Sequence, residues 1–579
     1  MLCFFSNLGS IALAAWLFAF GLGTAVFTVP GQTGRWGDQG DGTFRNPVIA
    51  ADYSDADPLR VGEDYYLVAS TFESSPGVTI LHSKDLVNWR TLGGVFPDLT
   101  RLGGAFSWNR MERYGQGIYA PSLRYHAGKF WVFVNCVTPE GFWCATATDP
   151  AGPWEIHQLV DKNGAGLRVS GWTDPCPFWD DDGRAYLATS RPGPQWFSYL
   201  FEMTPDGRQL LDAEVEHMGQ GGIVHAYPRG GTRYSPFFSS EGNKIYKRNG
   251  YYYLLHIEFL DGGQGRGTYV FRSRHLYGTQ ADGSPGRPGQ PGTYEVLKYG
   301  PVGDGEFGQA IPGQGGLVDT PDGRWFWLAQ FNRYASDGRP PHLLPVTWID
   351  DWPVPGYDIE GLQGHFRWQQ AKPISGHPVQ LPQGSDDFAS PTLLPQWIWN
   401  HQPRADRWSL TERPGFLRLR AFPRLRSDDF FTTGNIVAQR HYRSEKTTVT
   451  ARLGLAGMVS AQSAGLAHFT GREHYAFIAV QLEAEGALRV VVENTGRRDT
   501  EAPLPAGTRQ LWLRSTTGFD EQAVFSYSVD GTTFTPLGGP YRQRSHGFRG
   551  NLIGLFTHAA RDGGGYVDID QFDYETRHR

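Results

Sequence analysis

A short phrase returns five times in this chain, a turn built on glycine followed by a strand dense in aromatics. The copies read Val-Gly-Glu-Asp-Tyr-Tyr-Leu-Val (61–68), Ala-Gly-Lys-Phe-Trp-Val-Phe-Val (127–134) and Asp-Gly-Arg-Ala-Tyr-Leu-Ala-Thr (182–189). They continue as Asn-Gly-Tyr-Tyr-Tyr-Leu-Leu-His (249–256) and Asp-Gly-Arg-Trp-Phe-Trp-Leu-Ala (322–329). Gly, Asn and Asp tolerate the positive φ of a tight two-residue turn, so each copy reads as a hairpin. The turn glycines are Gly62, Gly128, Gly183, Gly250 and Gly323, at intervals of 66, 55, 67 and 73 residues. Such an interval is too long for one hairpin and fits a four-stranded sheet with a variable loop. Five of these in sequence predict a five-bladed β-propeller.

At 579 residues the chain exceeds one hydrophobic core, so two or more domains are expected. The 74 glycines and 39 prolines, with 14% aromatics and no long helical runs, favour an all-β chain. A net charge of −6 gives no electrostatic reason to expect nucleic acid or an anionic membrane as partner. The 19 Trp and 26 Tyr could stack on sugar rings, although most such rings are core. Residues 11–28 form an apolar run that reads as a secretory signal, with cleavage near Gly-Thr-Ala (23–25), or as an uncleaved membrane anchor. Either reading predicts a secreted or extracellular body, with membrane contact only if the segment stays attached. Cys136 and Cys144 are close enough in sequence for a hairpin disulfide, leaving Cys176 single. No Cys/His pattern has zinc spacing.

The repeats occupy 44–355, residues 356–384 read as a linker, and 385–579 change character. There, short alternating strands such as Gly-Phe-Leu-Arg-Leu-Arg-Ala (415–421) and Leu-Arg-Val-Val-Val-Glu (488–493) lie at sandwich spacing without the blade repeat. Three acids stand a similar distance upstream of repeat copies. Asp55 precedes Tyr65 by ten residues, Asp174 precedes Tyr186 by twelve and Glu241 precedes Tyr251 by ten. If the segment before each turn is a blade's innermost strand, these acids begin inner strands and converge on one mouth of the channel. Two carboxyl groups flanking a glycosidic bond suffice for hydrolysis, one ionised to activate water and one holding a proton for the departing oxygen. A third can raise the acid's pKa by like-charge repulsion. Against this stands ordinary turn chemistry, since Asp-Pro and Asp-Gly are common turn dipeptides.

At these residues the chain resembles glycoside hydrolase family 43. The likeness runs through Asn-Pro-Val-Ile-Ala-Ala-Asp-Tyr-Ser-Asp-Ala-Asp-Pro (46–58), His-Ser-Lys-Asp-Leu-Val-Asn-Trp (82–89), Tyr-Ala-Pro-Ser-Leu-Arg-Tyr-His (119–126) and Thr-Asp-Pro-Cys-Pro-Phe-Trp (173–179). It continues through Ser-Glu-Gly-Asn-Lys-Ile-Tyr-Lys (240–247), Gly-Gly-Leu-Val-Asp-Thr-Pro-Asp-Gly (315–323) and Gly-Arg-Pro-Pro-His-Leu (338–343). Trp-Asn-His-Gln-Pro (399–403) and Trp-Ser-Leu-Thr-Glu-Arg-Pro-Gly (408–415) resemble the β-sandwich appended to that family's β-xylosidases.

The resemblance implies a five-bladed β-propeller followed by a concanavalin-like β-sandwich, and an inverting exo-glycosidase acting on terminal β-D-xylosyl or α-L-arabinofuranosyl residues of hemicellulose oligosaccharides. Asp55 would be the base, Glu241 the acid and Asp174 the residue that tunes the acid, with Asp57 a rival for the base. Arg339 matches an arginine that contacts the sugar, and Tyr119, Glu73 and Gln314 join it as substrate-binding candidates. No cofactor is required, and the resemblance allows a structural calcium. In the family a His beneath the pocket often helps to hold that ion, and Gln314 stands near its place. Asp568 and Asp570 are further calcium candidates, or simply exposed acids at a strand end. Ser74 stands where xylosidases of the family often carry an aromatic platform. Other readings are a relative with another sugar specificity such as galactan, a related retaining fructan hydrolase, and a non-catalytic carbohydrate-binding protein.

Overall fold

A computed structural model describes residues 36–577 apart from 137–139, 169–171, 192–196, 221–222, 231, 234–239, 260–265, 300–311, 331–335 and 547–548. The apolar run at 11–28 lies outside the described residues. Among those residues the regular structure is strand, with a few single 3₁₀ turns and no α-helix. None of their helices is long and apolar enough to cross a membrane.

Five four-stranded antiparallel sheets follow one another along the chain. Their first strands are Asp57–Val61, Ile118–His126, Thr173–Trp179, Ser240–Arg248 and Gly313–Asp319; we number the sheets as blades I to V. Each first strand packs against those of the blades before and after it, and blade V returns to blade I. The first strands are therefore the inner ones, and the ring is closed. The five repeat glycines join each inner strand to the second strand of its blade, at φ from 65° to 83°. A Cβ would be strained there.

The period-2 alternation of the second strands explains their aromatics. Phe130, Val132 and Val134 pack towards blade I, while Trp131 and Phe133 pack towards blade III. Tyr186 lies in the core between blades III and IV, and Tyr253 and Trp327 in the core between IV and V. The repeat is thus the glue between sheets, with side chains leaving both faces of every blade. Cys136 belongs to the blade I side and Cys144 to the blade III side of the same sheet. The expected disulfide is not formed, and both thiols are free and buried. The register explains this: Phe133 is the partner of Cys144 and Gly141 that of Cys136, so the two sulfurs leave opposite faces.

Residues 385–577 build two large sheets of seven and eight strands. One apolar cluster runs from blades I and V into this sandwich, joining Tyr65, Leu67, Phe326 and Leu343 to Tyr442, Leu466, Phe525 and Ile553. The segment read as a linker holds a hairpin of Tyr357–Glu360 with Gln363–His365, and a strand, Gln369–Ala371, that pairs with Thr43–Arg45. Asp568 and Asp570 lie within the long strand Tyr566–Arg577 and are not exposed strand-end acids. Asp568 is 4% exposed and paired with Arg418 and Arg413, and Asp570 is paired with Arg452. Arginines already satisfy the oxygens that a calcium would need.

Gly316 on the inner strand of blade V shows how tightly the channel is filled. A Cβ there would fall 2.7 Å from Asp57 Oδ1, 2.8 Å from the Tyr246 hydroxyl and 2.9 Å from Pro58 Cδ. The variant Gly316→Ala should lose about 1–3 kcal/mol to overpacking, read as a lower midpoint of thermal unfolding in a folded protein.

Candidate active site

At or just before the start of each inner strand stands a residue in the left-handed region: Asp55 (φ 58°), Ala120 (36°), Asp174 (56°), Gly242 (73°) and Gln314 (52°). In blades II to V this residue falls in a break of the register with the second strand, a β-bulge. Bulges bend a strand and re-aim side chains, and for a residue with a Cβ the conformation costs roughly 1–2 kcal/mol. Here the five positions are joined by one chain of hydrogen bonds.

Asp55 accepts at Oδ2 from Ser70 Oγ (2.7 Å) and Arg339 Nη2 (2.9 Å), and at Oδ1 from Gln330 Nε2 (3.1 Å). The Asp55 amide donates back to Gln330 Oε1 (2.6 Å), and the Ala120 amide donates to Ser70 Oγ (2.8 Å). Gln330 Nε2 also donates to Gln314 Oε1 (2.9 Å), whose own Nε2 donates to Asp174 Oδ2 (3.1 Å). Asp174 accepts further from the Gly242 amide and from Thr173 Oγ1. The circuit passes through all five blades. It presents three donors to each aspartate, a setting that suits anions.

Asp55 and Asp174 are each 3% exposed. Burial, and next the Asp55 charge, push the Asp174 carboxyl above the usual range; Thr173, Gly242 and Lys244 oppose the rise. Glu241 is the residue before Gly242, on the blade whose amide holds Asp174, and it is half-buried. It therefore occupies the position of Tyr119 in blade II rather than that of the two aspartates. Asp57, the rival for the base, lies one layer deeper. It is fully buried and bonded to the Leu123 amide (2.9 Å) and to Arg124 (2.8 Å).

The substrate-binding candidates fall in different places. Arg339 sits on Asp55, and Gln314 spends both ends of its amide on Gln330 and Asp174. The Tyr119 hydroxyl donates to Gly115 O, and its ring meets Phe72 edge-on at 5.0 Å. Glu73 is fully buried; it accepts from the Gly115 amide (3.1 Å) and pairs with Arg549 of the sandwich (2.5 Å). Burial raises its carboxyl above the ordinary value, with Arg549 opposing. Two more sandwich arginines reach the propeller around the same mouth. Arg440 donates to Ser70 O (3.3 Å) and lies over Tyr53, and Arg443 pairs with Asp337 (3.2 Å). Gly550 donates its amide to Asp52 (2.9 Å), beside the Arg339 backbone. Ser70, Gln330, Arg440 and Arg549 were not singled out from sequence, although Gln330 ends the aromatic strand Trp-Phe-Trp-Leu-Ala-Gln (325–330).

Two measurements test this frame. Gln330→Leu cuts the circuit beside both aspartates, and a displacement of that kind can cost on the order of 100-fold in rate; kcat should fall, and the melting midpoint should drop as well because buried partners are left unpaired. Arg549→Met leaves Glu73 buried without its cation and should cost about 3–5 kcal/mol. Adding Glu73→Gln, which removes the stranded charge, should restore much of that loss in denaturant titration.

Comparison with known proteins agrees with this geometry. The model for glycosyl hydrolases family 43 matches residues 44–353, and that for the beta xylosidase C-terminal concanavalin A-like domain matches 385–575. A beta-xylosidase of Formosa agariphila is 32% identical over 593 residues, covering 94% of this chain and 92% of that protein. A non-reducing end alpha-L-arabinofuranosidase of Bacteroides ovatus is 29% identical, covering 92% and 94%. The crystal structure of a xylan beta-1,4-xylosidase from Bacillus halodurans superposes with a TM-score of 0.71 at 26% identity, over 92% of this chain and 99% of that one. The family match over more than half of the chain, together with a relative 32% identical along nearly the whole of both proteins, places this chain in glycosyl hydrolase family 43, and it is a glycoside hydrolase.

Proposed function

We propose that this protein is an inverting exo-glycosidase that removes terminal β-D-xylosyl or α-L-arabinofuranosyl residues from hemicellulose oligosaccharides. The observation that carries this reading is the pairing of two enclosed aspartates, held by one circuit of donors, with a more accessible glutamate on the neighbouring blade. Asp55 is the base: its surroundings donate to it from three sides and suit a carboxylate that takes a proton from water. Glu241 is the acid, since the group that meets a departing sugar oxygen must reach the pocket. Asp174 shares a backbone junction with it through the Gly242 amide (residue 242 directly follows the acid) and supplies the negative charge that keeps the acid protonated.

In the reaction the bond between C1 and the leaving oxygen breaks as water oxygen bonds C1 from the opposite face. The water proton passes to Asp55, and the Glu241 proton passes to the leaving oxygen. As drawn, the step uses water and carboxyl groups alone and no cofactor. Arg339, bonded to Asp55, also stands where it can meet a sugar hydroxyl, and Tyr119 lines the same mouth. Named activities of the relatives, β-xylosidase and α-L-arabinofuranosidase, support these two sugars as substrates. The apolar run at 11–28 supports export, so the protein would meet its oligosaccharides outside the cytoplasm.

Nitrophenyl β-xyloside, α-arabinofuranoside and β-galactoside, assayed side by side, should give turnover on the first two, with the inverted anomer seen first by NMR. Glu241→Ala should lower kcat/KM on xylobiose by roughly 10²–10⁴-fold and less on an aryl glycoside whose leaving group needs no proton. Unchanged turnover on xylobiose, or a retained anomer, would overturn the mechanism.

A further inference from the structure

Beneath the ring of left-handed residues, the next inward side chain of each blade forms a second layer: Asp57, Ser122, Cys176, Lys244 and the bare Gly316. Lys244 is 2% exposed. Its Nζ donates to Ser122 Oγ in blade II (3.1 Å) and lies 3.8 Å from Asp57 Oδ1 in blade I. It also acts on the Asp174 charge in blade III. Asp57 Oδ1 is in turn the atom nearest to a Cβ built on Gly316 of blade V. An ammonium that starts in blade IV and reaches these neighbours can lie only near the axis of the ring.

The resemblance to family 43 allows a structural calcium near residue 314, and the donor set here does not fit one. Calcium takes six to eight oxygen ligands. Gln314 Oε1 already accepts from Gln330 Nε2, and Gln314 turns its amide nitrogen towards Asp174. The layer below supplies cations: Lys244, and Arg124, which bonds Asp57 Oδ2 (2.8 Å) and Cys176 Sγ (2.8 Å). Asp55, Asp57 and Asp174 thus stand against Arg339, Arg124 and Lys244, three carboxylates against three cations. A divalent ion added beneath them would meet two positive charges at close range.

We propose that Lys244 is the resident cation of the propeller axis and serves beneath the two aspartates in place of a bound metal ion. It is a positioning residue: almost wholly buried, it acts through Asp174 and Asp57. Lys244 meets Ser122 of blade II and Asp57 of blade I, and its charge acts on Asp174 of blade III; Arg124 of blade II bonds the same Asp57 and Cys176 of blade III, and lies over Tyr246 of blade IV. Its effect on the reaction rests on the reading of Asp174 as an ionised modulator. Loss of the cation raises the pH at which Asp174 ionises, so the acidic limb of the rate profile moves to higher pH.

Two arms test this on the full chain. Wild-type enzyme dialysed against a chelator should keep kcat/KM within two-fold, and calcium should not move its melting midpoint. Activity lost on chelation and regained with calcium would overturn the proposal, whichever carboxyl is the acid. Lys244→Met should shift the acidic limb of the kcat/KM profile upward by about one pH unit (a factor of ten in the ionisation constant) with KM little changed. A folded variant whose limb stays in place would overturn it. If that variant does not fold, the chelation arm decides. Failure here with Glu241→Ala still inactive would leave the assignment of the acid standing.

Discussion

Three aspartates lie almost wholly out of water within two layers of one channel, and the architecture around them answers that constraint. Removing a carboxylate from water is costly enough to demand partners with good geometry. Asp57 obtains two cations and a backbone amide. Asp55 obtains an arginine, a serine and a glutamine, and Asp174 a threonine, a glutamine and the Gly242 amide. These donors come from every blade, so the same contacts that neutralise the charges also hold the ring of blades to one geometry. The left-handed residue at the head of each inner strand, set in a bulge in four of the five blades, is the local expense of bringing them there.

The sandwich belongs to the same system. Arg440, Arg443 and Arg549 extend from it to Ser70, Asp337 and Glu73, each a residue that flanks the mouth or supports a residue there. Arginine suits this role because its planar fork stays charged and can lie over rings, as Arg440 does on Tyr53 and Arg549 on Phe72. The apolar cluster shared with blades I and V keeps these arms in register. The second domain is therefore part of the wall around Asp55, and its packing is continuous with that of the propeller.

Much of this was legible in the repeat. The glycine turns and their aromatics announce five sheets, and counting back from them reaches Asp55 and Asp174 at the start of inner strands. The count is less sure for Glu241, because a bulge adds a residue without marking the sequence. Asp55 lies seven residues before its turn glycine, while Asp174 and Glu241 each lie nine before theirs, so the spacing alone does not show that Glu241 stands one place outside the aspartates' position. Ser70 and Gln330 carried no signal, since a serine and a glutamine at strand ends are ordinary and Gln330 lies 275 residues from Asp55 in the chain. Cys136 and Cys144 misled for a related reason: nearness in sequence says nothing about which face of a strand a side chain leaves.

By itself the sequence determined the all-β class, the division into repeated sheets and a sandwich, and the acids at the head of three blades. Those properties are periodic or local, set by turn chemistry and by alternation along a strand. Only the tertiary structure decided which acids are enclosed together, that Asp57 belongs to the floor and not to the mouth, and that Lys244 and the sandwich arginines complete the charge balance. Those outcomes depend on closing a ring of five blades, and closure brings into contact residues that no local pattern connects.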